Sequence, residues 1–359
     1  MVFSVPPPIV YGGEMDALHS DHIHRLRRRA EVVRRIRAFF DRRDYLAVET
    51  PRLCPTPIPE SHIELFETRR RGPDPETGAQ RRPLWLLPSP EVYLKQLLAA
   101  GSGSLYEIAR SFRNGEVDGP HHAVEFTMLE YYTVDADGDD SIAITEDLLA
   151  ELGIPGPATR ISMADAWLRW CGIDLEATLN ADGTGDRSRM IAEITRAGLG
   201  THTGEGDTWE DLFQRVFLTW VEPELPADRP VYLTRYPAAV PTLARRLPGT
   251  VWADRWELYL GGVEVANCFG EETDPDRIAA FFHREVAGKT EVGHRVHDVP
   301  PDYLRRPRLP RCSGVAMGVD RLVMAVLGSR DIDEVIAFRP DFRYDTASKT
   351  DDTKGTPES

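Results

Sequence analysis

The sequence predicts an α+β fold in which an antiparallel β-sheet is flanked by helices. Three observations carry this. Leu105–Arg113 and Val124–Tyr132 read as two strands joined by a polar loop rich in Gly and His. WELYLGGVEVANCF reads as a hairpin with Gly261-Gly262 as its two-residue turn. Helical patterns lie on both sides of these strands, from about residue 21 and again at GVDRLVMAVLG.

Taken in order, residues 1–20 read as a flexible arm. Ser20 or Asp21 can cap a helix running to about Asp44, with Ile23, Leu26, Ala30, Val33, Ile36 and Phe40 as its apolar stripe. Its many arginines suit either a solvated face or an acidic partner. LAVETP is a short extended piece, 68–83 a polar loop, and LWLLP a short buried strand. Ser89-Pro90-Glu91 opens a helix, with Ser as N-cap, Pro at the first helical position and Glu at the positive end of the dipole; Gly101 ends it. Residues 135–230 read as a helical insertion carrying MADAWLRWCGI, SRMIAEITRAGL and TWEDLFQRVFLTWV. In the last, Trp209, Leu212, Phe213, Val216, Phe217 and Trp220 form a core-facing stripe. PVYLTRYP returns to strand, DPDRIAAFFHREVAG is a helix, and Gly328 stops the final buried helix. The stretch 21–342 forms the main domain, and 343–359 is a polar, disordered tail.

The chain has 359 residues and a formal net charge of -15. That length suits one large domain with an insertion, or two domains. The negative balance weighs against a large nucleic-acid footprint. Four scattered cysteines, none in a CxxC pair, suggest neither a zinc site nor a disulfide framework and fit a reducing cytoplasm. The start, MVFSVPPPIV, lacks a basic region and is broken by prolines, so no signal peptide is expected. No run of eighteen apolar residues exists, so no membrane span is expected.

The chemistry-bearing residues lie on the strands and at helix starts. Arg113 ends its strand on the face of Glu107, Ala109 and Ser111, where it can grip two oxygens at once or pair with a nearby glutamate. Glu130 and Tyr132 share a face with Phe126 and Met128. A carboxylate among apolar neighbours needs a cation, either a ligand ammonium or an ordinary Lys or Arg. A Gly-Gly turn pairs Tyr259 with Glu264 and Glu257 with Ala266. Glu257 and Glu264 then lie diagonally on one face, roughly 7–8 Å apart at the backbone, and can converge on a divalent cation. Asn267, Phe269 and Glu271 have the opposite parity, and joining them to Glu264 requires a bulge near Val265–Ala266. Arg321 opposes the dipole in the first turn of its helix, which suits a bound anion or a salt bridge to Asp320. Gly314 and Gly318 would let backbone pass close to a ligand.

These stretches resemble class II aminoacyl-tRNA synthetases. ETP at Pro51 looks like motif 1, FRN…EFTMLEYY like motif 2 and GVAMGVDRL like motif 3. SPEVYLKQLL, EFTMLEYY and ELYLGGVEVANCFGEETD are similar to the lysyl branch, and the resemblance covers about residues 22–340. Lysyl-tRNA synthetases carry an N-terminal anticodon-binding domain. Here the motif 1 helix begins near residue 21, which resembles the ligases of this family that attach (R)-β-lysine to a lysine of translation elongation factor P. Ala316 matches those ligases where the synthetases have Gly, and its methyl narrows the floor of the amino-acid pocket.

The resemblance implies a homodimeric class II core that uses ATP and Mg²⁺ to form an aminoacyl-adenylate from lysine or β-lysine. Elongation factor P is the implied acceptor, without stable tRNA binding or membrane association. It implies catalytic roles for Arg113, at the substrate carboxylate and α-phosphate, and for Arg321 at the γ-phosphate. Glu116 would meet adenine, with His121 and Gly318 also in the ATP site and Glu257 and Glu264 holding Mg²⁺. Ser89 and Glu91 would bind the inner amino group. Glu130, Tyr132 and Glu271 would bind the terminal ammonium, with Asn267, Phe269 and Ala316 shaping the slot. Where the family reads FRNE and HNPEF, this chain reads FRNGE and HAVEF, so Gly115 lengthens the motif 2 loop and brings Glu116 onto the family's Glu position. Two other readings stay open: an enzyme with another acceptor, tRNA or a small molecule, and a non-catalytic lysine-binding paralogue.

Overall fold

The computed structural model describes residues 20–73, 78–79, 82–115, 119–154, 156–291, 293–299 and 308–339. The expected arm, apart from Ser20, and the expected tail lie outside them, as does Glu116. An eight-stranded sheet runs through the molecule. In chain order the strands are β1 (Leu46–Ala47), β2 (Leu53–Cys54), β3 (Glu67–Thr68), β4 (Leu84–Leu86), β5 (Leu105–Phe112), β6 (Glu125–Val134), β7 (Thr159–Ser162), β8 (Val231–Thr234), β9 (Arg255–Leu260), β10 (Val263–Gly270) and β11 (Cys312–Gly318). The large sheet has the order β1-β5-β6-β11-β10-β9-β8-β7, and β2-β4-β3 form a small separate sheet. Only the outermost pairs, β1 with β5 and β7 with β8, are parallel. The α+β class with an antiparallel centre is therefore present.

One face of this sheet is apolar. Leu129, Tyr131, Val315, Met317, Cys268 and Leu258 all point to it and are fully buried. Three helices cover them: α1 (Ser20–Asp41), α3 (Gly138–Leu152) and α8 (Val319–Leu327). The alternate residues point to the other face, which carries the polar groups described below. At one end that face is closed by α2 (Glu91–Ala99) and α7 (Pro275–Glu291), packed around Leu105, Tyr132 and Cys312. A separate core joins α4 (Met163–Cys171), α5 (Arg187–Arg196) and α6 (Trp209–Val216) to the β8–β9 edge of the sheet.

Several elements differ from their sequence reading. Helix α1 ends at Asp41, and Asp44 turns the chain with φ 59°. Its buried stripe is Val32, Ile36, Phe39 and Phe40, while Ile23 and Ala30 are exposed. Periodicity marks a helix face but not how far a neighbour covers it. The arginines of this stretch answer neither a partner nor plain solvent alone: Arg25 and Arg29 of α1, and Arg42 and Arg43 just beyond it, pair with Glu334, Asp320, Glu151 and Asp147 of this chain. Helix α2 begins at Glu91 with Pro90 as N-cap, yet Ser89 Oγ still accepts from the Glu91 N–H at 3.0 Å. The stretch 135–230 is not helical throughout. Its α3 belongs to the main core, and Thr159–Ser162 completes the large sheet as a parallel edge strand, a pairing too distant in sequence for local pattern to reveal. Trp220 is half-exposed and donates to Thr201 Oγ1, because the helix widens into a π turn at Phe217–Val221 and rotates it off the stripe. The small β2-β4-β3 sheet is built from two- and three-residue strands with no periodicity to read.

Candidate active site

The polar face of the large sheet is ordered in cross-strand rows. Glu107, Glu130, Ala316, Asn267 and Glu257 lie opposite one another across β5, β6, β11, β10 and β9. Leu105, Tyr132, Gly314, Phe269 and Arg255 form the next row. Gly261 and Gly262 make the β9–β10 turn with φ 63° and 79°, which a two-residue hairpin of this kind requires. Tyr259 pairs with Glu264 as the turn predicts, but the register then shifts between Glu264 and Ala266. Glu257 consequently faces Asn267, not the Ala266 of simple alternation. The bulge at Val265 is the device that puts Glu264 on the same face as Asn267 and Phe269.

At one end of this face lies a buried group of acids. Glu130 is 2% exposed, and Tyr132 Oη donates to its Oε1 at 2.7 Å. The Ser89 hydroxyl also approaches this carboxyl and favours its charged form. Burial, reinforced by the nearby Glu91 carboxylate, pushes the Glu130 carboxyl up to about 8. Glu271, just past β10, is also 2% exposed; burial pushes it up to about 7 against the opposing pull of Lys95. Lys95 Nζ lies 2.6 Å from Glu91 Oε1 and 2.6 Å from Glu271 Oε2. Only glycine fits at 314, since a Cβ there would stand 2.3 Å from Tyr132 Cε1 and 2.7 Å from Glu271 Oε1. Lys95 thus bridges Glu91 and Glu271, with Glu130 close by, so three acids share this end of the face with one buried ammonium.

At the other end is a cavity of about 580 Å³. Arg113, from the end of β5, and Arg321, from the first turn of α8, both line it, together with His121, Phe126, Glu264 and Gly318. The Arg113 N–H donates to Val124 O, and its guanidinium carbon is 5.4 Å from the Phe126 ring centre. Arg321 forms no salt bridge to Asp320. It donates instead to the carbonyls of His121 (3.0 Å) and Glu264 (2.8 Å). Asp320 accepts from the Thr127 N–H at 2.7 Å and pairs with Arg29 at 2.6 Å, which ties the start of α8 to β6 and α1. Gly318 has room for a Cβ, so its value is the space it leaves in the cavity. Gly115, with φ 80°, supplies the turn that follows the Glu64–Asn114 bridge. Asn267 and Ala316 line the same cavity while lying in the row of Glu130, so the floor of the cavity leads to the acids.

The carboxylates of this end are not equivalent. Glu264 faces the cavity, and burial with the Glu257 charge pushes it up to about 7 despite Arg321, Arg255 and Arg113. Glu257 accepts from Tyr236 and Tyr259 hydroxyls and pairs with Arg255 at 2.7 Å. A carboxylate has about four lone-pair sites, so Glu257 keeps one for a further ligand. Among the described residues no three His, Cys, Asp or Glu side chains form a metal cage. Glu264 on the cavity wall, with the buried Glu257 behind it, fits Mg²⁺ carried by phosphate oxygens and water, not a protein-only cage.

Three groups here escaped the sequence reading. Lys95 follows Glu91 by four residues on one helix, a spacing that could have revealed the pair. Arg255 sits two residues from Glu257 on the same strand face, which alternation could also have shown. Glu60 lies in a proline-rich loop with no periodic signal. Burial and the Glu91 charge push Glu60 up to about 7, while Arg113 pulls it down. Its loop is held by the Ser61 N–H donating to Glu285 Oε2 at 2.8 Å.

The model of class II tRNA synthetases (D, K and N) matches residues 14–341. Among similar proteins, one named elongation factor P–(R)-β-lysine ligase in Yersinia enterocolitica is 37% identical over 324 residues, covering 88% of this chain and 95% of that protein. Proteins of the same name in Vibrio vulnificus (36% over 322 residues; 88% and 95%) and Klebsiella pneumoniae (38% over 322 residues; 89% and 96%) are also similar. With the antiparallel sheet, the two arginines on one cavity and this match along nearly its whole length, the chain belongs to the class II tRNA synthetase family of the D, K and N type.

Proposed function

We propose that the protein is an ATP-dependent ligase that activates a lysine-type amino acid, (R)-β-lysine in the first instance, and transfers it to a lysine of elongation factor P. One observation carries the reading. A single sheet face joins a cavity lined by Arg113 and Arg321 to a buried group of acids with too few cations. A diamino acid brings two ammonium groups for those acids and one carboxylate for the arginine end. The relatives' name supports (R)-β-lysine and elongation factor P as substrates.

In this reading the substrate carboxylate lies against Arg113 and one of its oxygens attacks the α-phosphorus of ATP. The bond to the pyrophosphate oxygen breaks, and Arg321 neutralises the departing γ-phosphate. Adenine would lie toward the motif 2 loop, with Glu116 and His121. Glu264 and the remaining lone pair of Glu257 would hold Mg²⁺, which supplies charge neutralisation at the phosphates when bound. Ser89 and Glu91 meet the inner amino group; Glu130, Tyr132 and Glu271 meet the terminal one; Asn267, Phe269 and Ala316 shape the slot between them. The amine of the acceptor lysine then attacks the adenylate carbonyl, forming the amide and releasing AMP. Rate enhancement comes from positioning and preorganised charge, with no protein nucleophile. Homodimerisation and a cytoplasmic location complete the proposal; no described helix is long and apolar enough to cross a membrane.

The test is pyrophosphate exchange with α-lysine and (R)-β-lysine, followed by mass analysis of elongation factor P and of bulk tRNA. Exchange with (R)-β-lysine and a mass gain on elongation factor P are expected. Labelling of tRNA alone would replace the acceptor, and absence of exchange with either isomer would remove the enzymatic reading.

A further inference from the structure

The acids at the closed end of the site already hold a cation of the protein's own. Lys95 is 1% exposed, and its Nζ is 2.6 Å from Glu91 Oε1 and from Glu271 Oε2. The two glutamates come from different layers. Glu91 opens α2, and Glu271 follows β10, where its N–H donates to Cys312 O at 3.0 Å. A buried ammonium is costly unless its partners are fixed, and here the same four-residue step of α2 supplies both the lysine and one of its partners. Without that ammonium the two carboxylates would repel at close range.

We propose that Lys95 is a positioning residue for amino-acid selection: an internal ammonium that claims one oxygen each of Glu91 and Glu271 and so sets their other oxygens, with Glu130, at a fixed separation for the two ammonium groups of a diamino acid. This rests on the proposed activation of a lysine-type substrate. Lys95 then acts twice. It holds the distance between the inner and terminal amino subsites, and it keeps the negative charge of the acids at a level that a doubly cationic substrate, and not a singly cationic one, can match. Lys95 does not touch the reacting carboxylate, which lies at the Arg113 end of the cleft.

The experiment begins with the wild-type protein, whose binding of (R)-β-lysine and α-lysine is measured by calorimetry beside pyrophosphate exchange. Absence of both binding and exchange would remove the reading on which the proposal stands. With the wild type active, Lys95→Ala is expected to raise the KM of the diamino acid at least tenfold, leave the KM of ATP within twofold, and recover affinity when ethylammonium is added. Equal recovery by neutral propanol, or an unchanged amino-acid KM with only a lowered Tm, would overturn the proposal. Should Lys95→Ala not fold, Lys95→Arg decides. Its fork forces Glu91 and Glu271 apart, so a tenfold higher amino-acid KM at near wild-type Tm is expected, and a wild-type KM would overturn it.

Discussion

The two ends of the cleft use charge in opposite ways. At the proposed phosphate end, Arg113 and Arg321 are partly exposed on an open cavity, and two backbone carbonyls accept from Arg321. At the proposed amino-acid end, Glu130 and Glu271 are sealed from water, and the buried Lys95 pairs with Glu271 and with Glu91. The open end can exchange a large, heavily hydrated anion. The closed end makes each misplaced or missing ammonium expensive, because an unmatched buried charge has no solvent to fall back on. In the proposed reading, turnover and selectivity are thus separated along one sheet face.

That contrast can be broken most severely at the open end. Arg113→Ala should lower the pyrophosphate-exchange kcat by about 10³-fold, in the range of losing one preorganised charge at a developing oxyanion. A loss below tenfold would place the guanidinium away from the phosphates. At the closed end the effect should be smaller and of another kind. Glu271→Gln should raise the amino-acid KM by roughly ten- to a hundredfold, the ~1.5–3 kcal/mol of a charge-assisted hydrogen bond, and leave the ATP KM alone. Parallel rises in both constants would mean that the two ends are not separable.

The smallest effect sharpens the comparison through stability. Burial raises the Glu130 carboxyl from its ordinary 4.5 to about 8. The folded state therefore favours the neutral acid. This stabilisation is fully present below about pH 4.5 and is lost as the pH climbs through about 8. Glu130→Gln should melt a few degrees above the parent at pH 8.5, with the difference vanishing below pH 4.5, while binding the amino acid more weakly. A Tm difference that does not vary with pH would show that Glu130 carries no unmatched charge in the ligand-free protein.

How much of this was legible beforehand differs by element. The β9–β10 hairpin was readable because Gly261-Gly262 leaves one short turn geometry, and the pairing of Tyr259 with Glu264 followed from it. The face shared by Glu130 and Tyr132 followed from alternation alone. The stretch 135–230 read as a helical insertion because its strand, Thr159–Ser162, is four residues long and is paired by Val231–Thr234, far along the chain. Glu60 stayed hidden because a proline-rich loop carries no period.

By itself, the amino-acid sequence determined the periods of its helices and strands, the turn that joins β9 to β10, and which side chains share a strand face. These are local properties, set by backbone sterics over a few residues. Only the tertiary structure decided the bulge at Val265 that brings Glu264 onto the face of Asn267, the meeting of Arg113 with Arg321 across one cavity, and the capture of Lys95 between Glu91 and Glu271. Those depend on register and on layers packed from distant segments, where burial fixes each charge against whichever partner the fold brings to it.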